Sequence, residues 1–143
     1  MGLFTGLFSS DVREQSSGKQ EVAMLMGIGN FELRIVGEAH YQAALEVLCG
    51  PRIPKGVNRF ETAWLILEDK NPHDKNAVRV EVRRKPVGYL SREVAIRYRE
   101  QLNARGTPNA NGQCQAVIRG GWVSSGGRKG AYLVWLDLPI SYQ

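Results

Sequence analysis

The chain has 143 residues, of which 43% are hydrophobic and 23% are charged, and its formal net charge is +5. This length suits one compact soluble domain and excludes a motor or a second catalytic domain. Residues 1–30 carry two basic and three acidic side chains, so residues 31–143 carry 17 basic and 11 acidic ones, a net +6. A basic body of this kind favours a polyanionic partner such as nucleic acid.

Residues 1–30 are predicted to form an N-terminal arm that is partly disordered. The arm begins with two Gly-Leu-Phe segments, and a stretch rich in Ser, Gln and Gly follows from Ser9 to Gln20. Such a composition buries too little apolar surface to fold by itself. Phe4 and Phe8 could dock on a partner or on the domain's own surface, and residues 21–28 fit either a lead-in strand or one helical turn.

The domain proper is predicted to span residues 31–143 and to be mainly β with two α-helices. Apolar residues that alternate with polar ones indicate strands, whereas apolar residues spaced by three or four indicate helices. In chain order the sequence predicts a strand at Phe31–Val36, a helix at Tyr41–Cys49, a loop at Arg52–Arg59, strands at Thr62–Leu67, Val78–Arg83 and Val87–Leu90, a helix at Ser91–Ala104, and strands at Gln113–Arg119 and Ala131–Leu138. Many short strands with two helices favour a small mixed barrel or sheet over a parallel βαβ layout.

Catalytic and cofactor templates are not matched. The Gly-rich segment 120–130 lacks the Gly-Lys-Ser/Thr ending of a phosphate-binding loop, and no Gly-x-Ser-x-Gly elbow occurs. We therefore predict no catalytic residue, no cofactor and no enzyme activity. His40, His73 and Asp74 could supply three metal ligands only if the fold brought them together, and their spacing matches no known ligand pattern, so no metal site is predicted.

Cysteine usage and hydropathy limit the location of the protein. The two cysteines, Cys49 and Cys114, are too few for a disulfide framework and are expected to be buried small residues in a reducing compartment. No apolar run approaches the roughly eighteen residues that a membrane span needs, and the N-terminus lacks the pattern of a signal peptide. We expect a cytoplasmic protein without a membrane partner.

The most informative stretch runs from Asn71 to Val80. Asn-Pro followed by Asp-Lys-Asn is strong turn chemistry, because Asn and Asp bond their own backbone and Pro fixes φ. A tight polar loop that opens into a valine strand would hold Asn71, His73 and Asp74 at a barrel rim. By itself the spacing favours an ordinary Asx turn.

The flanking segments make the pattern specific. Ile35-Val36-Gly37 with His40-Tyr41 precedes the loop, and Val87-Gly88-Tyr89-Leu90 leads into a helix after it. In this order and spacing the set resembles the HIRAN family, over about residues 31–105. The resemblance implies a small OB-related β-barrel with one prominent helix. It also implies a non-catalytic module that captures the 3′ end of single-stranded DNA in repair or replication-fork processing, with a helicase or nuclease as partner.

The resemblance also assigns roles to seven residues. An aromatic pair that stacks on terminal bases falls on His40 and Tyr41. The loop that holds the last nucleotide falls on Asn71, His73 and Asp74, with the Asp74 carboxylate accepting from the terminal 3′-hydroxyl. Two positions that contact phosphate or line the pocket fall on Tyr89 and Arg92.

Several positions depart from the family pattern. Ala39 stands where an arginine is frequent, and His40 and His73 replace tyrosines, so stacking should be weaker and mildly sensitive to pH. The altered aromatic pair and the apolar arm keep two alternatives open, a protein-interaction module and a homo-oligomerising domain on the same fold. Oligomeric state, sequence preference and the choice between DNA and RNA do not follow from the sequence.

Overall fold

The computed structural model describes residues 21–140, so most of the predicted arm lies outside the described residues. These residues form seven strands: β1 Val22–Met24, β2 Leu33–Arg34, β3 Val57–Leu67, β4 Val78–Val82, β5 Lys85–Tyr89, β6 Asn111–Gly120 and β7 Tyr132–Asp137. They also form a 3-10 turn, Glu38–Tyr41, and two helices, α1 Gln42–Cys49 and α2 Arg92–Ala104. The predicted class, mainly β with two helices, is confirmed.

The strands make one curled half-barrel sheet, consistent with the expected small OB-related β-barrel. Their order is β2-β7-β6-β3-β4-β5, and β1 pairs in parallel with the start of β6. Just beyond β2, Val36 pairs with Tyr89 at the end of β5, which brings the two ends of the sheet together. The lead-in segment is therefore a strand, and it packs Ala23 and Leu25 into the core.

The core lies on the concave side of the sheet and is closed by α2. Alternate residues of the strands face inward, as period-two geometry requires, and four α2 residues meet them. The largest fully buried side chains include Tyr98, Leu102, Leu65, Ile118 and Tyr132. Among residues 21–140 no helix is long and apolar enough to cross a bilayer.

The largest error in the predicted elements concerns β3. Residues 52–59 were expected to be a loop, yet the strand begins at Val57 and pairs with β6 as far as Gly120. Asn58, Arg59 and Glu61 hide the strand signal because no residue in this half of β3 is fully buried. Only the register with β6 reveals it.

Smaller boundaries also move. The strand predicted at Phe31–Val36 is confined to Leu33–Arg34. The predicted helix at Tyr41–Cys49 begins one residue later, because the preceding turn is 3-10. The predicted turn at Arg84-Lys85-Pro86 lies instead at Arg83 and Arg84, which both have positive φ. Two positive φ values are the geometry of a tight two-residue hairpin, which usually carries Asn or Gly, so the two arginines gave no turn signal.

Candidate nucleic-acid interface

The loop between β3 and β4 is held in shape by its own polar side chains. The Asn71 Oδ1 atom accepts hydrogen bonds from the backbone N–H of His73 at 2.8 Å and of Asp74 at 3.1 Å. The Asp74 Oδ1 atom accepts from the backbone N–H of Asn76 at 2.9 Å, and the Asp74 carbonyl accepts from Ala77 N at 3.1 Å. These are consecutive Asx turns, and they fix the backbone on either side of the Asp74 carboxylate.

Glu68 joins this loop to β4 and β5. Its carboxylate accepts from Asn71 Nδ2 at 2.9 Å, from the Tyr89 hydroxyl at 3.1 Å and from Arg79. Burial alone would raise the pKa of Glu68, but the hydrogen bonds from these three side chains outweigh it, so the pKa is lowered. Glu68 is therefore a charged acceptor at the point where the loop, β4 and β5 meet.

The hydrogen bond between Tyr89 and Glu68 lowers the pKa of Glu68 but raises that of Tyr89. Burial and then the neighbouring Glu68 carboxylate raise the pKa of Tyr89 to about 12. Tyr89 therefore stays a neutral hydroxyl donor throughout the physiological range, and its ring is held in one place by its bond to Glu68.

Helix α2 supports the other side of the loop. The Arg99 guanidinium donates to the Asn76 carbonyl at 2.9 Å, to the Ala77 carbonyl at 3.1 Å and to Asp69 Oδ1 at 2.7 Å. Asp69 is exposed, so its ion pair with Arg99 adds little stability. The two backbone contacts instead tie the loop to the helix.

The start of α2 carries the last predicted site residue. The Ser91 side chain caps the helix by accepting from Val94 N at 3.3 Å, as its N-cap position predicts. Arg92 is the first helical residue and is exposed. Its charge therefore lies beside free backbone N–H groups, which already favour an anion.

The His40–Tyr41 turn is held differently. Side chains next to it form hydrogen bonds with the backbone of β7, as a neighbouring strand otherwise would. The Glu38 carboxylate is buried and accepts from Val134 N at 3.2 Å on the edge of β7. Gln42 uses its amide to donate to the Tyr132 carbonyl at 3.0 Å and to accept from Tyr132 N at 2.8 Å. The turn is thus fixed at both ends, and neither His40 nor Tyr41 supplies an anchor.

A backbone bridge places this turn beside Tyr89. Val36 and Tyr89 exchange two hydrogen bonds of 2.8 Å. A Cβ at Gly88 would lie 2.6 Å from the Val36 carbonyl oxygen, so only glycine permits this approach. The Tyr41 side chain is near enough to Tyr89 to contribute to the raised Tyr89 pKa.

The structure therefore brings most of the predicted site residues to neighbouring positions. Asn71, His73 and Asp74 share the loop, Tyr89 is bonded to the loop through Glu68, and Tyr41 lies beside Tyr89. His40 is exposed on the same turn as Tyr41, and Arg92 follows Tyr89 by three residues. The loop residues 69–75 line an open depression of about 440 Å³. Across the part of the chain that the structure describes, no three His, Cys, Asp or Glu side chains converge as metal ligands, so His40, His73 and Asp74 form no such cluster.

Comparison with protein families decides the identity of the domain. The sequence model of the HIRAN domain matches residues 28–107, more than half of the chain. The chain belongs to the HIRAN domain family. HIRAN domains are DNA-binding modules, in keeping with the basic body of the chain. Neither the curated proteins nor the solved structures contain a match.

Sequence reasoning missed the residues that hold this HIRAN site together. Glu68, Gln42 and Arg99 each join segments that are far apart in sequence. Gln42 and Tyr132 are 90 positions apart, and Arg99 and Asn76 are 23 apart. No local pattern marks such residues, although Glu68 lies three residues before Asn71, a spacing at which a turn can bring two side chains together.

Proposed function

We propose that this HIRAN domain binds single-stranded DNA at a free 3′-hydroxyl end, without chemistry of its own. The loop at Asn71–Asp74 would hold the terminal nucleotide, and the His40–Tyr41 turn would stack on the bases. Tyr89 and Arg92 would contact the pocket and the phosphate. The observation that carries the proposal is the fixed acceptor loop, with one half-buried carboxylate, beside a turn with an available aromatic ring.

The chemistry of Asp74 supplies the discrimination between ends. A carboxylate can accept about four hydrogen bonds, so its bond to Asn76 leaves capacity for the 3′-hydroxyl of a terminal deoxyribose. A phosphate at the same position would repel it by roughly 1 to 4 kcal/mol at 4 Å, depending on how much water remains. A free end is thereby separated from a blocked end and from an internal nucleotide.

The roles of the Asn71 and Tyr41 side chains can be separated. Both the oxygen and the nitrogen of the Asn71 amide already hold the loop, so Asn71 acts mainly through loop shape. Tyr41 is half-buried and takes no part in the turn's anchors. Stacking on a base is tolerant of sequence, which suits a binder of any DNA end.

A domain with this function would act together with catalytic proteins. A 3′ end is where strands are extended and trimmed, so we infer a role in DNA repair or replication-fork processing. A helicase or nuclease partner would supply any hydrolysis. A cytoplasmic location stays a prediction.

The test compares three fluorescent oligonucleotides of one sequence in an anisotropy titration: a 3′-hydroxyl, a 3′-phosphate, and a 5′-phosphate with a free 3′ end. We expect a preference of about tenfold for the free 3′ end, corresponding to about 1.4 kcal/mol, and no effect of the 5′-phosphate. Asp74→Ala should remove the preference and leave the salt-dependent part of binding. Equal affinity for both 3′ ends in the wild-type protein would refute end recognition, and absence of any salt-dependent binding would refute nucleic-acid binding altogether.

A further inference from the structure

The convex side of the sheet, opposite the core, carries an exposed apolar surface. We call it the outer apolar face and define it by six residues: Met24, Met26, Ile28, Phe31, Phe60 and Trp135. Exposed apolar side chains that are grouped on one face, unlike single scattered ones, can mark a site of interaction.

Strand register places one part of this face on β3, β6 and β7. Phe60, Val117 and Trp135 are direct neighbours across the three strands. The Phe31 ring packs edge-on against Phe60, with centroids 5.4 Å apart. Val117 is completely buried under these rings, yet Phe60 itself remains 60% exposed.

The second part of the face comes from the lead-in segment. Met24 pairs with Gln113, which alternates with the buried Cys114, so the Met24 side chain lies on the convex side. The chain then crosses β7, where Gly29 N donates to both Asp137 carboxylate oxygens at 3.0 Å. This fixed crossing holds Met26 and Ile28 outward.

The exposure of these two side chains has no explanation within residues 21–140. Met26 is 84% exposed and Ile28 is 91% exposed. Gln113 and Val117 lie four residues apart on β6, so the two parts of the face are about 13 Å apart. A short apolar segment could contact both.

We propose that the outer apolar face is the docking site of this chain's own Gly-Leu-Phe segments, at residues 2–4 and 6–8. Residues 1–20 lie outside the described part of the chain, and only their sequence enters the argument. Leu3, Phe4, Leu7 and Phe8 are four large apolar residues within eight positions. They match the face in chemistry, and burial of such side chains is the main driving force for docking.

The position and length of the connecting segment favour this occupant over a separate protein. The chain enters the described structure at Glu21, next to β1 at one edge of the face. Residues 9–21, mostly polar, connect it to the apolar segments, and a chain of this length spans roughly 20 Å on average. That reach covers the face, and such a tether gives an effective concentration in the millimolar range.

The test uses the full chain with Phe4→Ser and Phe8→Ser, and a synthetic peptide of residues 1–12. By NMR of the tryptophan indole groups, the peptide should bind this variant with a Kd below about 1 mM, because weaker binding would not populate the tethered contact. It should leave the wild-type chain unaffected. Adding Ile28→Asp to the variant should abolish peptide binding, and Val47→Asp, at another exposed apolar position, on α1, should not.

Ile28→Asp is expected to fold normally because the side chain is almost fully exposed. Phe60→Ser provides an independent second position on the face. No peptide binding by the Phe4→Ser, Phe8→Ser chain would overturn the proposal. A wild-type mass of two chains in light scattering that falls to one chain in this variant would also overturn it, because the occupant would then be the arm of a second copy.

Discussion

The two halves of the candidate DNA site are built in opposite ways. The loop at residues 69–76 is shaped from within, because Asn71 and Asp74 bond the backbone of their own near neighbours. The turn at residues 38–41 is shaped from outside, because Glu38 and Gln42 reach across to the edge of β7. In the loop the predicted functional side chains also hold the backbone in shape, together with Glu68 and Arg99. In the turn the two roles belong to different residues.

This difference has a consequence for substitution. The turn can change its exposed residues, His40 among them, without losing its position. The loop has no such freedom, because altering Asn71 or Asp74 alters its shape as well. Function and stability should therefore separate cleanly in the turn and remain linked in the loop.

The largest expected effect is at Tyr41. Tyr41→Ala should weaken binding to a single-stranded oligonucleotide by about 1–3 kcal/mol, the usual contribution of one stacked base. Tyr41→Phe retains the ring and should bind within twofold of the wild-type protein. Anisotropy titrations measure the affinity, and urea unfolding should give the same free energy for all three proteins. A loss of stability in Tyr41→Ala would break the comparison, because the ring would then be an anchor of the turn.

Replacement of Glu38, unlike that of Tyr41, should lower the stability of the protein. Glu38→Ala leaves the backbone N–H of Val134 without an acceptor, so the free energy of unfolding should fall by about 2 kcal/mol. Glu46→Ala, at an exposed position on α1, is the matched control and should change it by less than about 0.5 kcal/mol. An unchanged midpoint in urea for Glu38→Ala would mean that the turn is not held from β7.

Glu68 connects the loop to β5, and its effect should depend on pH. Its pKa is lowered in the folded protein. The stability it adds is therefore present above its unfolded pKa and is lost as the pH falls through the lowered value. Glu68→Gln should cost about 1 kcal/mol at pH 7, and this difference from wild type should shrink as the pH falls below the ordinary Glu pKa and through the lowered one. A difference that stays constant throughout the acid range would show that the Glu68 charge is not what the loop uses.

The smallest effect is spectroscopic. Tyr89 should ionise near pH 12, against an ordinary value of 10.0, because of burial and the Glu68 carboxylate. The difference in ultraviolet absorbance between wild type and Tyr89→Phe isolates this titration. In the Glu68→Gln background the pKa should move towards 10. A pKa that stays near 12 there would assign the shift to burial alone.

The sequence is a good guide to the loop and a poor one to the turn, for a physical reason. Asn71, Pro72 and Asp74 act on residues two or three positions away, so their effect is local and can be predicted from the sequence. The role of Ser91 as a helix cap can be predicted for the same reason. Gln42 acts on Tyr132, 90 positions away, and nothing in its own neighbourhood marks it.

The strands divide in the same way. The valines of β4 are all buried and alternate with the wetter Arg79 and Glu81, so this strand was predicted to within one residue. The first half of β3 carries Asn58, Arg59 and Glu61, and only its pairing with β6 makes it a strand. Alternation of apolar and polar residues reports burial, so a half-strand without a fully buried residue cannot be recognised from the sequence.

The central claim is that the loop and the turn act together on one DNA end, and a double-mutant cycle tests it most directly. Affinities for a 3′-hydroxyl oligonucleotide are measured for wild type, Tyr41→Ala, Asp74→Ala and the double variant. If both side chains hold the same terminal nucleotide, the double variant should differ from the sum of the single effects by at least about 0.5 kcal/mol, and the coupling should vanish with a 3′-phosphate. Single effects that add to within about 0.3 kcal/mol on both ends would contradict the claim.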